Sequence, residues 1–114
     1  MDAEEKPFYP LSPDKARKLA AALGKADGSA SLARVFPVLK TVEGIEVVEQ
    51  ENGMTAVSRK EGHNTLMLKK EIPLNSFMVW TLMDFLLPEG IMQRFQPEAP
   101  LGEIEILCVL TGEI

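Results

Sequence analysis

The 114-residue chain has ordinary single-domain length, and its 46% apolar and 25% charged residues are those of a folded globular protein, which excludes wholesale disorder. Seventeen acidic against twelve basic residues leave a net charge of -5, which repels phosphate backbones and argues against nucleic acid as a partner. The longest strongly apolar segment, residues 77–87, falls well short of the ~20 residues of a membrane-spanning helix and contains Asp84, so no membrane partner is expected.

Residues 1–11 carry two prolines and read as an extended N-terminal arm that lays Phe8 and Tyr9 on the core. The acidic start, residues 1–6, has no apolar stretch behind it and does not read as a signal peptide. Residues 12–114 are expected to form one α+β domain. Ser12-Pro13 is a helix start, because a serine oxygen can accept an orphan amide and proline's fixed φ suits the first helical position. Ala16, Leu19, Ala20 and Leu23 then make one apolar stripe, and Gly24 is the expected left-handed terminator. Residues 28–31 read as loop. Residues 32–42 are ambiguous: Leu32, Val35, Phe36 and Leu39 have helical spacing, whereas Pro37 and the β-branched residues favour an irregular edge strand, the reading we adopt.

Asn52-Gly53 between two strand-like runs predicts a hairpin over residues 45–60 with a two-residue type I′ turn. That turn sets Val48 opposite Val57 and Glu46 opposite Arg59, with Val47, Met54 and Ala56 on the other face. A further turn around Glu61, Gly62 and Asn64 leads to a strand over 65–70, with Leu66 and Leu68 on one face and Met67 on the other. Pro73 ends this meander. Asn75 or Ser76 caps a second helix, 77–87, apolar nearly all round and stopped by Pro88 and Gly90. After a proline-punctuated connection, residues 103–110 alternate acid and apolar and then run apolar on both faces, as a central strand would. The expected fold is therefore α+β, an antiparallel sheet of four or five strands (the meander plus a C-terminal strand) with two main helices.

Catalytic ingredients are scarce. His63 is the only histidine and sits in a turn, which rules out sites built on several histidines. Cys108, the only cysteine, precludes an internal disulfide and points to a reducing compartment, with the cytoplasm as the expected location. It lies in an apolar run with no neighbouring cation, which favours a neutral buried thiol. Glu43, Glu46, Glu49 and Glu51 read as a solvated hairpin surface rather than as paired catalytic carboxylates. Neither a phosphate-binding loop nor a dinucleotide fingerprint occurs. No catalytic residue, metal site or cofactor is assigned, and the reading leans away from an enzyme. Asp84, embedded among apolar neighbours, must face water or find a partner such as Arg94; the two form a possible polar site.

Large apolar residues on the second helix and the loop after it, Trp80, Ile91, Met92 and Phe95, are the candidate partner-binding group. The partner is expected to be a second copy, as a homodimer, or another protein or peptide. A partner strand added to the edge near Pro37 is one route. The alternatives are a ligand carrier or enzyme with a pocket lined by Met67, Met78, Trp80 and Met83, and an accessory or structural subunit of a larger assembly. In order of elements, hairpin, Leu74-Asn75 and apolar helix resemble PqqD-like peptide-recognition domains, from which the strand over 65–70 and the missing terminal helices depart. The order helix, meander, helix, strand is similar to that of type III secretion chaperones. Such likeness of order transfers no function.

Overall fold

Ser12 caps the first helix as its chemistry dictates: in the computed structural model, which describes residues 9–24, 27–60 and 64–113, its side chain accepts the Lys15 amide and Pro13 opens helix α1, Pro13–Leu23. Its stripe of Ala16, Leu19, Ala20 and Leu23 is buried. Gly24 is not left-handed; its φ is -72°. Glycine is needed there for room, because a Cβ would stand 2.9 Å from that of Glu103. Of the expected arm, residues 1–8 lie outside the described residues. Residues 9–11 are tied down: the Leu11 amide donates to the Leu110 carbonyl and the Tyr9 hydroxyl to that of Val109.

The segment expected as loop contains a short strand β1, Asp27–Ser31, paired antiparallel with β5, Pro73–Asn75. Residues 32–42 are helical rather than strand: a 3-10 turn, Leu32–Arg34, runs into the short helix α2, Phe36–Leu39. Pro37 sits in the first turn of α2, where its missing amide has no partner to lose. The helical spacing of Leu32, Val35, Phe36 and Leu39 therefore decides, and all four are buried.

The meander forms as expected, with strands β2 (Ile45–Glu49), β3 (Met54–Arg59) and β4 (Thr65–Lys69) in that order in a three-stranded antiparallel sheet. Its first turn differs from the two-residue type I′ form. The Gly53 amide donates to the Gln50 carbonyl and the Gln50 amide to the Met54 carbonyl. Only Gly53 of the turn has positive φ, at 84°, as in a type I turn closed by a glycine bulge. The longer loop shifts the register by one, so Val48 faces Ala56 and Val47 faces Val57. Ile45, Val57 and Leu68 are buried, and Val47 and Leu66 are partly buried against the same core.

Asn75 caps helix α3, Ser76–Leu86, its side chain accepting the Met78 amide at 2.8 Å. The helix buries Val79, Leu82, Met83 and Leu86. The expected C-terminal strand is instead helix α4, Glu103–Leu110. Glu105 folds back to accept the Gly102 amide at 2.9 Å, the acids Glu103 and Glu105 lie at the positive end of the helix, and Ile106, Val109 and Leu110 form its buried stripe. These local signals outweigh the short alternation of acid and apolar. The result is an α+β fold of four helices and two antiparallel sheets among the described residues, rather than two main helices on one sheet. No described helix is long and apolar enough to cross a membrane.

Candidate functional site

The expected binding group on α3 and its following loop is partly structural. Trp80 is half-buried, and its indole N–H donates to the Phe95 carbonyl at 3.0 Å, which pins the loop to the helix. Met92 is fully buried beneath that loop, while Ile91 and Phe95 are half-buried against the core. The large apolar group that α3 does present to solvent is Phe77, 58% exposed in its first turn.

Asp84 and Arg94 are both exposed, and neither makes an ion pair or hydrogen bond among the described residues. Asp84 instead borders an open depression of about 430 Å³ with Arg59, Asn64, Glu89 and Gln93. Arg59, half-buried on β3, donates to the Leu87 carbonyl at 3.3 Å and so ties the meander to the end of α3. A second depression, of about 480 Å³, lies where the start of α3 (Ser76) and the residue before α4 (Gly102) approach Asp27, Ser29 and Arg34. The Ser29 hydroxyl and amide both donate to Asp27, which holds its carboxyl below the usual carboxylate range. Glu105, accepting the Gly102 amide, already satisfies a donor at the positive end of α4.

The residues expected to line a pocket, Met67, Met78, Trp80 and Met83, are divided between the core and the surface among the described residues. Met83 is in the core, whereas Met67 lies on the meander face opposite Val57 and Leu68. His63 and the turn at Glu61 and Gly62 lie outside the described residues. Cys108 is a free thiol, half-buried rather than buried. Among the described residues no group of three or more His, Cys, Asp or Glu is placed to hold a metal.

The structure brings together a different surface, the outer face of the meander. Val48 pairs with Ala56 and Ala56 with Met67, so one apolar row crosses all three strands. Val48 is 51% and Met67 43% exposed, uncovered by any described element. Glu46, Ser58 and Thr65 form the row on one side of it; Met54 and Lys69 form the row on the other. This row was hidden from sequence reasoning by the one-residue register error, since the shorter turn placed Val48 and Ala56 on opposite faces. The strand-addition edge expected near Pro37 does not exist, because that segment is helical; the open edges of the meander are β2 and β4.

Comparison of the chain with known protein families, with curated proteins and with solved structures yields no match.

Proposed function

We propose that this chain is a non-enzymatic module that binds protein segments at the meander, working as a small oligomer in a reducing compartment such as the cytoplasm. The observation that carries the reading is the exposed apolar row Val48, Ala56 and Met67, beside the open edge of strand β4. A sheet that presents both an apolar outer row and a free edge has the two elements of strand addition. Backbone hydrogen bonds supply affinity, and alternate side chains supply selectivity. Phe77, exposed on α3, is a further large apolar group open to solvent. The inner face is meanwhile buried through Val57 and Leu68, and Arg59 ties the meander to the end of α3.

A random peptide library displayed on phage and selected on the immobilised full chain tests this. Enriched peptides should alternate apolar residues with polar ones, and their binding should be lost in Met67→Pro and weakened in Val48→Glu. Failure to enrich any such peptide, or binding indifferent to both substitutions, refutes the assignment.

A further inference from the structure

The two open edges of the meander are chemically different, and the hydrogen bonds of the hairpin determine which backbone groups each one offers. The Gln50 amide donates to the Met54 carbonyl at 2.7 Å, and the Lys60 amide to the Gly44 carbonyl at 2.8 Å. Both lie on the β2–β3 register, and bonded pairs alternate along an antiparallel ladder. Val48–Ala56 and Glu46–Ser58 are therefore bonded pairs, and Thr55 and Val57 turn their backbone groups toward Leu68 and Leu66 on β4. Thr65, Met67 and Lys69 consequently direct their amides away from β3, into the open edge, and all three residues are exposed.

We propose that a second copy of this chain occupies that edge, its β4 antiparallel to the first about a two-fold axis at Met67. The proposal rests on the reading of the meander as a binding surface and names the partner. The pairing is self-complementary. Met67 meets Met67 of the second copy, Thr65 meets its Lys69 and Leu66 its Leu68. Every bonded position faces another that offers outward groups, and no like charges are opposed. The axis also lays the exposed Met67 side chains against each other and extends the outer apolar row from one copy into the next.

The β2 edge is built against the same association. Its outward positions are Ile45, Val47 and Glu49, and a two-fold axis at Val47 would set Glu43 against Glu51 of the other copy twice over. Charged residues on an edge strand are a usual protection against pairing, and on β4 the charge is confined to Lys69 at the end, residues 65–68 carrying none. The ladder of five-residue strands is much smaller than the ~1,600 Å² of a standard stable interface, so the dimer dissociates on dilution.

Sedimentation velocity on the full chain from about 10 μM to about 1 mM, the range in which so small an interface dissociates, should show the mass rising from the monomer toward the dimer. The monomer is 12.6 kDa. Met67→Pro removes an amide that faces the open edge, so it should preserve the circular dichroism of the fold while weakening association about tenfold or more. Glu49→Pro, the matching change on the β2 edge, should fold and dimerise like the wild type. If Met67→Pro fails to fold, Met67→Lys replaces it, setting two like charges face to face at the axis, with the same expected loss. A wild type that stays at 12.6 kDa throughout, or association unaffected by changes at Met67, overturns the second copy as occupant. Peptide selection then separates the two readings: peptides that bind a monomeric wild type and are lost on Met67→Pro leave the binding surface standing without the dimer.

Discussion

Gly24, just past the end of α1, lies against Glu103 at the start of α4, and replacing it by alanine tests the arrangement of the helices directly. Its φ of -72° suits any residue, so backbone strain contributes nothing. A Cβ would stand 2.9 Å from Glu103 Cβ, 3.1 Å from Glu103 Cα and 2.9 Å from the Ala20 carbonyl oxygen. Two of those three obstacles are backbone atoms, which cannot rotate away. Alanine gains about 0.4–1 kcal/mol by restricting the unfolded chain. Forcing a methyl into a packed contact costs about 1–3 kcal/mol. The net expectation for Gly24→Ala is a loss of about 1–2 kcal/mol, or a Tm lower by about 4–8 °C for a domain of this size. Urea unfolding followed by Trp80 fluorescence and far-UV circular dichroism measures it. Gly102→Ser, across the same junction, is the control: a Cβ there meets only Glu105 Oε1, at 3.6 Å, and serine is a good N-cap, so stability should hold or rise by a few tenths of a kcal/mol. A Gly24→Ala protein as stable as the wild type would show that Glu103 does not back onto the end of α1, and the placement of α4 would fall with it.

Removing the α3 cap by Asn75→Ala should cost about 1 kcal/mol in the same urea assay, and an unchanged midpoint would deny the Asn75–Met78 bond. Thr55 is 4% exposed, and its hydroxyl makes no hydrogen bond among the described residues, so the near-isosteric Thr55→Val should stabilise by about 1 kcal/mol; destabilisation would reveal a partner for the hydroxyl. The Asp27 carboxyl should titrate below the ordinary aspartate range by NMR and move upward in Ser29→Ala, because the Ser29 hydroxyl is the first cause of its depression. Since the folded value lies below the unfolded one, this contribution is present above the unfolded pKa and is lost as pH falls through the folded value; an Asp27 insensitive to Ser29→Ala would refute the contact.

What was legible in the chain was whatever a few adjacent residues decide. Ser12-Pro13 and Asn75 each satisfy an amide within one turn, and both helix starts follow from that chemistry alone. The meander follows from strand-like runs punctuated by Asn52-Gly53. Its register does not, because the hairpin takes a three-residue loop with positive φ at Gly53 alone, and moving one residue exchanges the two faces. That exchange hides the outer row of Val48, Ala56 and Met67 from the sequence pattern. Met92 and Trp80 have structural tasks that size and polarity alone do not reveal: Met92, in the proline-punctuated stretch, fills the core, and Trp80, half-buried on α3, holds the loop through its indole N–H. Residues 103–110 read as strand because Glu103, Ile104, Glu105 and Ile106 alternate. The competing signals, a glutamate at the third helical position and apolar residues at 106, 109 and 110, were present but weighed less than period two.

The helicity of 103–110 has a consequence for the sheet as well as for the core. As a central strand, this segment would have lain inside the sheet and supplied another row of backbone partners. As α4 it packs on α1, where Gly24 admits Glu103 and Leu110 receives the Leu11 amide, and its backbone bonds close on themselves. Strand β5 pairs with β1 in a separate sheet, so it does not cover β4 either. With both candidates spent elsewhere, the three-stranded sheet keeps two edges, and the chain distributes its charge unequally between them: Glu46 and Glu49 on β2, and only Lys69, at the very end, on β4. An edge of uncharged residues beside an exposed apolar row is a liability in a monomer and a docking site when a partner strand is present. The same sequence choices that make residues 103–110 a helix thus leave β4 an edge strand, on which the proposed second strand would add.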